Sequence, residues 1–254
     1  MNGRRAGVVL AAIGAIAASI APAAQPLARM KGKVVTDAGA PLEADVRIEA
    51  VAGPRGEGYV GQRAYSVRSS AKGEWSLIGF KAGAWMFTIA PPGYIPDAIV
   101  LPINVLVPAG SSVAGLAPSW RPVLKAAPLP GGDAGDWLKA GAAAAAAGDA
   151  ARVTDTMSRA PDDADAPALA AAGRICLLVH DAGLARALFG RALARDRSSF
   201  RAQLGIGSAA LMVADYSAAG KAFKAARDLT TDKDERNYLT AAIADLSRMD
   251  ISGH

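Results

Sequence analysis

Cys176 and His180 are the residues of this sequence whose types and spacing come closest to nucleophilic chemistry. They lie four residues apart, about one helical turn, and a reactive thiol needs a base within reach. The other histidine is His254, at the C-terminus, and no second ligand lies at helical spacing from either histidine. We expect Cys176 to occupy an inward position of a helix, as a small buried hydrophobic residue rather than a nucleophile.

Two acidic stretches have a composition that suits a metal ion. "GGDAGDW" (131–137) and "PDDADAP" (161–167) carry closely spaced carboxylates, and the second loosely suggests calcium. It lacks the loop glycine and the distal glutamate of a calcium loop, so we interpret it as a solvated connector. The chain has no HExxH, no Cys/His cluster and no GxSxG, and the glycines of "GIGSAALMVAD" are too close for a dinucleotide loop. The sequence therefore predicts a protein that binds no metal or cofactor and has no enzymatic activity.

Residues 1–23 have the pattern of a secretion signal. Arg4 and Arg5 precede an apolar run at 6–20, and Ala-Pro-Ala follows at 21–23. A single membrane-spanning helix is the alternative, but the apolar run is shorter than the roughly 20 residues that a bilayer requires. We expect cleavage near Ala24, a periplasmic or secreted bacterial protein, and no membrane span after cleavage.

The mature chain divides into two halves of different composition. Residues 24–130 are rich in Val, Ile, Gly and Pro and carry a net charge of +4, whereas residues 131–254 are rich in alanine and carry −1. Neither charge is large enough to suggest a nucleic-acid partner. The single cysteine excludes an internal disulfide, so hydrophobic cores must stabilise the exported protein. We place an all-β domain at 24–124, a linker at 125–135 and an all-α domain at 136–250.

The front half is a series of short strands separated by turn residues. The predicted strands lie in "KGKVVTDAGAPLEADVRIEAV", "RAYSVRSS", "EWSLIGF", "AWMFTIA", "DAIVLPINVLVP" and "SSVAGLAPSW". Strands at this spacing, punctuated by glycine, predict an antiparallel sandwich. Pro102 places its strand at the edge of a sheet or divides it in two.

Residues 73–94 concentrate the aromatic side chains, which suit either a sandwich core or a sugar-binding platform. In a strand, Trp85, Phe87 and Ile89 share one face, and Met86 and Thr88 take the other. Because the rings share a row with an aliphatic residue, the pattern favours a core. A platform would have its rings on the solvated face.

The front half resembles the regulatory domain appended to metallocarboxypeptidases, a transthyretin-like (prealbumin-like) sandwich of seven strands. The resemblance covers about residues 30–118, with Ala82 where a proline is common. It is carried by Gly32-x-Val34 with the turn residues Asp37, Gly39 and Pro41, by Gly73-x-Trp75-x-Leu77-x-Gly79-Phe80, by Gly83-x-Trp85-x-Phe87-x-Ile89, and by Pro92-Gly93-Tyr94. It implies a non-catalytic accessory or adhesion module.

The back half repeats itself at an interval of about 34 residues. The matching positions are Gly207, Asp215, Ala219, Phe223 and Ala226; Gly173, Asp181, Ala185, Phe189 and Ala192; and Gly141, Asp149, Val153, Met157 and Ala160. This pattern resembles tetratricopeptide repeats, each of which is a pair of helices. The resemblance implies that each glycine admits the partner helix, that each aspartate caps the second helix, and that the phenylalanines fill space toward the next repeat. "KDERNYLTAAIADLSRM" adds a capping helix to three repeats.

The repeat family binds its ligands along the concave face of the first helices. The residues predicted there are Arg174, Leu177, Leu178, Arg201, Leu204, Ser208 and Leu211. An apolar floor with two arginines suits a peptide with apolar anchors and a carboxylate; alternatively, the arginines are solvated and the leucines pack against the linker or the sandwich. We expect an exported non-catalytic scaffold that binds a protein or peptide of an envelope-associated system. The alternative is a carbohydrate-binding or envelope-attachment protein whose sandwich reads the ligand.

Overall fold

A β half is followed along the chain by a helical half. The computed structural model describes residues 28–53, 56, 58, 63–103, 122–130 and 135–251, so the predicted export signal and the predicted strand at 111–120 lie outside the described residues. The strands are β1 (Ala28–Thr36), β2 (Asp45–Ala52), β3 (Ala64–Arg68), β4 (Glu74–Phe80), β5 (Gly83–Ile89), β6 (Tyr94–Ile95), β7 (Asp97–Ile103) and β8 (Val123–Pro128).

The described strands form two four-stranded sheets. Their orders are β4–β1–β8–β6 and β3–β2–β5–β7. β1 pairs antiparallel with β4 and parallel with β8, whereas β5 pairs antiparallel with both β2 and β7. β2 and β3 are neighbours in one sheet, whereas from β3 to β8 each strand lies in the other sheet from the one before it, so the chain crosses repeatedly between the two sheets of a sandwich. Pro102 lies in β7, which is an edge strand as predicted, and a proline is tolerated there because an edge strand needs fewer N–H donors.

The sandwich extends further along the chain than the sequence predicts. The described residues hold eight strands, one of them only two residues long, rather than seven. β8 hydrogen-bonds to β1 and β6, so residues 125–128 belong to the sandwich and the predicted start of the linker at Lys125 is wrong. The alanines of this segment resemble the helical half in composition, but their neighbours in the sheet determine their structure.

The aromatic rings of residues 73–94 lie in the sandwich core, as the alternation predicts. Phe80, Trp85 and Phe87 are fully buried, and Trp75 is 4% exposed. Phe80 meets Trp85 edge to face with 5.0 Å between ring centroids, and Trp75 stacks on Phe87 at 5.9 Å. The indole N–H of Trp85 donates to the carbonyl of Lys81. These rings are therefore not a sugar-binding platform.

Seven helices make up the described part of the back half. They are α1 (Asp136–Ala146), α2 (Ala150–Ser158), α3 (Ala166–Leu178), α4 (Ala182–Arg195), α5 (Phe200–Met212), α6 (Tyr216–Leu229) and α7 (Lys233–Ile251). The three predicted caps are present. Each of Asp149, Asp181 and Asp215 accepts the backbone N–H of the residue three positions later, at 2.9–3.0 Å, and these aspartates begin α2, α4 and α6. A side-chain acceptor at this position satisfies a backbone donor that the helix leaves free.

The glycines of α3 and α5 admit aromatic rings from the neighbouring helices. A Cβ atom on Gly173 would lie 2.6 Å from the Phe189 ring, and one on Gly207 would lie 2.3 Å from the Phe223 ring. Phe189 also reaches forward, because a Cβ on Gly205 would lie 2.2 Å from the same ring. Phe189 thus packs on both its own helix pair and the next, as the repeat pattern predicts, and Phe223 packs on its own pair.

The two halves meet at β7. All seven residues of this strand are buried, since one face lies in the sandwich core and the other is covered by α3, α5 and α7. One hydrophobic cluster joins Val100 and Leu101 of β7 to Leu204 and Leu211 of α5. The halves therefore share a continuous core. Among the helices described, none is long and apolar enough to cross a bilayer.

Candidate functional site

The two arginines predicted to bind a partner contact the protein's own sandwich. Arg174 is 7% exposed, and its Nη1 donates to Oδ1 of Asp97 at 2.9 Å. The backbone N–H of Lys125 donates to Oδ2 of the same carboxylate at 2.8 Å. Arg201 is partly exposed, and its Nη1 lies 3.9 Å from Oδ2. We expected these arginines to bind a carboxylate of a peptide. In the structure, Asp97 of β7 provides that carboxylate.

The apolar floor predicted for the partner is covered in the same way. Leu204 and Leu211 are buried in the cluster that contains β7, and Leu177 is buried among the helices. Ser208 is fully buried, and its Oγ accepts the N–H of Val100 at 3.1 Å. Apart from Leu178, the predicted partner-binding surface is therefore a contact within the chain, and β7 supplies its apolar and hydrogen-bonding partners.

Further ion pairs join the first sheet to the start of α7. Lys125 lies 2.7 Å from the buried carboxylate of Glu235, and Lys33 lies 3.4 Å from Asp234. Tyr238, one turn after Glu235, is buried, and its burial raises the pKa of the phenol, with the Glu235 carboxylate adding to the effect. These contacts fix the orientation of the helices against the sandwich.

An open cleft remains where the first helices face the second sheet. Its volume is about 760 Å³, within the range of ligand sites in proteins. The floor contains Met86 and Thr88 of β5, and the segment after β5 contributes three prolines, Pro91, Pro92 and Pro96. The predicted polar face of β5 is thus the floor of the cleft, where Met86 is 2% exposed.

The opposite wall of the cleft comes from the ends of three helices. Ala145 and Ala146 close α1, Ala150 opens α2, and Leu178 closes α3. Leu178 is the predicted partner-binding residue that lines this cleft. Small side chains on this wall leave room for a ligand, and both walls are held by the shared core of the two halves.

Charged side chains surround the cleft on the strand side. Arg68 lies 3.2 Å from Asp45, and Arg47 lies 3.9 Å from Glu49. His180, in the turn after α3, has its Nε2 3.8 Å from Glu49 and so faces the sheet across the cleft. These pairs are largely exposed, and each contributes little to stability.

Cys176 and His180 do not form a catalytic pair. Cys176 is fully buried in α3, and burial, together with the Asp181 carboxylate, raises the pKa of its thiol to about 12. His180 points instead toward Glu49 in the cleft. Asp165 of the second acidic stretch caps α3 by accepting the N–H of Ala168. Across the described ranges, no three His, Cys, Asp or Glu side chains are placed to hold a metal ion.

Asp97 is the buried charged residue that the sequence reasoning missed. It is a charged residue between Pro96 and an otherwise apolar strand, and it is 2% exposed. A buried carboxylate needs a cationic partner, so its position predicts an arginine nearby but does not indicate which one.

Comparisons with known proteins identify no family. No family profile and no curated protein matches the chain. Among solved structures, a streptococcal ancillary pilin is 14% identical with a TM-score of 0.30, over 41% of this chain and 33% of its own. A 3-chlorocatechol 1,2-dioxygenase from Rhodococcus opacus is 13% identical with a TM-score of 0.30, over 41% of this chain and 60% of its own. The chain therefore spans less than two thirds of either protein.

Proposed function

We propose that the protein is an exported, non-catalytic scaffold that binds a protein or peptide partner in the cleft between the second sheet and α1–α3. The observation that carries the proposal is the cleft itself: about 760 Å³, with a floor that contains Met86 and Thr88, three prolines after β5, and a helical wall of small residues. The sandwich is the accessory module, and it supplies one wall of the site.

We expect the cleft to bind a short segment of chain rather than a compact small molecule. Its lining combines the prolines after β5 with the ends of α1 and α3 and with charged side chains of β2 and β3. Both walls are fixed by the core that the halves share. A rigid site binds without first ordering its own walls, which reduces the entropic cost of association.

The proposal also assigns each half of the chain to the family that its sequence resembles. Asp caps, and glycines filled by a side chain of the partner helix, recur at the repeat interval in α1–α6, which supports a tetratricopeptide-like array of three repeats with α7 as its cap. Two facing sheets with an aromatic core support a carboxypeptidase regulatory-like sandwich. Export to the periplasm or medium rests on the pattern of residues 1–23.

Site-specific photo-cross-linking tests the proposal in the producing cell. A photoreactive phenylalanine analogue replaces Ala146, which is exposed and lines the cleft. The matched control carries it at Ala143, which is exposed on the same helix but does not line the cleft. We expect a discrete cross-linked partner from position 146 that is absent from position 143.

Each outcome of the cross-linking experiment either supports or contradicts the cleft as the binding site. Equal cross-linking from the two positions, or none from 146 under native expression, would contradict the cleft as the binding site. Replacing Ala146 with arginine should also abolish cross-linking from a second probe at Ala150, because the larger side chain fills the space.

Carbohydrate binding is the second candidate function, and a different cavity favours it. A polar recess of about 460 Å³ lies on the first sheet, lined in part by Ser70, Ser76, Glu74 and Lys31. Hydroxyl, carboxylate and ammonium groups suit the hydroxyls of a sugar. A glycan array with the wild-type protein and with Ser76→Trp, which blocks the recess, tests this candidate; signals unaffected by the change would rule the recess out.

A further inference from the structure

The charges around the cleft are unequal. Glu43, Asp45 and Glu49 contribute three carboxylates, whereas Arg47 and Arg68 contribute two guanidinium groups, which leaves one negative charge apart from His180, whose Nε2 lies 3.8 Å from Glu49. The arginine–carboxylate pairs are exposed and at 3.2–4.0 Å, so these carboxylates stay accessible to another cation.

The helices on the opposite wall add negative potential. α1 ends at Ala146 and α3 ends at Leu178, and both of these residues line the cleft. A helix C-terminus carries about half a negative charge, and basic side chains in the last turn normally offset it. Neither α1 nor α3 has a basic residue in its last turn. The positive N-terminus of α2 is offset by the Asp149 carboxylate that caps it.

We propose that the cleft selects a segment in which a lysine or arginine is flanked by apolar side chains, an inference that rests on the proposed function. The cation faces the carboxylates of β2 and the two helix ends, and the flanking side chains contact Leu178, Ala145 and Ala146. The preference is opposite to the acidic ligand expected from Arg174 and Arg201, because Asp97 already occupies those arginines.

Two short peptides of opposite charge test the preference. Acetyl-Leu-Lys-Leu-amide and acetyl-Leu-Glu-Leu-amide are titrated separately into the purified protein at pH 8, where imidazoles carry little charge. Backbone amide shifts of Ala145, Ala146 and Leu178 report binding in the cleft. We expect the lysine peptide to bind about fivefold more tightly at low salt, and the ratio to approach one at high salt.

A matched pair of double variants isolates the cause. Asp45→Asn with Glu49→Gln should abolish the preference for lysine. Asp155→Asn with Asp228→Asn changes the net charge equally at exposed positions that do not line the cleft, and the preference should remain.

Three results would overturn the inference: a glutamate peptide that binds as well or better, shifts confined to residues outside the cleft, or no shifts from either peptide at millimolar concentration. If a partner is still cross-linked from position 146, the cleft remains a binding site and only its charge preference is wrong. If the lysine peptide shifts the cleft residues but no partner is cross-linked in cells, the chemistry holds and the proposed scaffold function fails.

Discussion

Replacing Gly207 with alanine should destabilise the protein, although alanine is the better helix former. Gly207 lies within α5, where the change gains about 1 kcal/mol of helix propensity. The new Cβ would lie 2.3 Å from Cε1 and 2.4 Å from Cδ1 of Phe223, whereas carbon atoms in contact normally lie about 3.5–4.0 Å apart. The ring must therefore move by about 1.2 Å or more. Phe223 is fully buried, so no open space receives it.

The expected size of the effect follows from these opposing contributions. Overpacking a core costs about 1–3 kcal/mol, and a contact this short belongs to the upper part of that range. After the gain in helix propensity, we expect a net loss of about 1–2 kcal/mol in the free energy of unfolding. Gly190→Ala is the matched control, since Gly190 is an exposed residue of α4 with no atom within 4 Å of its added Cβ. It should stabilise the protein by about 0.5–1 kcal/mol.

Urea unfolding followed by far-ultraviolet circular dichroism measures both variants. The double variant Gly207→Ala with Phe223→Leu should lose less than the sum of the two single changes, because the shorter side chain relieves the contact. A Gly207→Ala protein as stable as the wild type, or equal losses at positions 207 and 190, would show that ring packing does not explain the glycine.

Two further predictions concern buried groups. Arg174→Gln should lower the free energy of unfolding by about 3 kcal/mol, because it leaves the Asp97 carboxylate buried with fewer partners. Arg159→Gln, which breaks an exposed pair with Asp155, should lower it by less than about 0.5 kcal/mol. Similar midpoints of urea unfolding for the two variants would contradict a buried ion pair between the halves. Cys176 should not react with a disulfide reagent such as Ellman's reagent at pH 8 until urea unfolds the chain, because burial raises the pKa of its thiol to about 12 and keeps it protonated; rapid labelling of the native protein would place the thiol at the surface.

Local chemistry made the helical half predictable. The aspartate caps need only their own helix, and the glycines at positions 173 and 207 need only the ring 16 residues later, so both features are present in the repeat itself. The core face of β5 was predictable for a similar reason, because alternation along one strand determines which side chains share a face.

The candidate site was less predictable because it depends on how the halves meet. Arg174 and Leu204 have the composition of an open groove, and only the position of β7 makes them interior residues. Asp97 and Arg174 lie 77 residues apart, and no local pattern relates them. The cleft is likewise formed by strands and helices from opposite halves, so its position follows from the docking and not from either half alone.

The position of β7 also bears on aggregation. An edge strand presents unpaired N–H and C=O groups to which a strand of another chain can add. Here the Ser208 hydroxyl accepts the N–H of Val100, and α3, α5 and α7 pack against β7, so among the described residues the helical half occupies part of this edge. The helical half therefore shields a sheet edge that would otherwise be open to β-addition, and variants that loosen its docking should precipitate before they unfold.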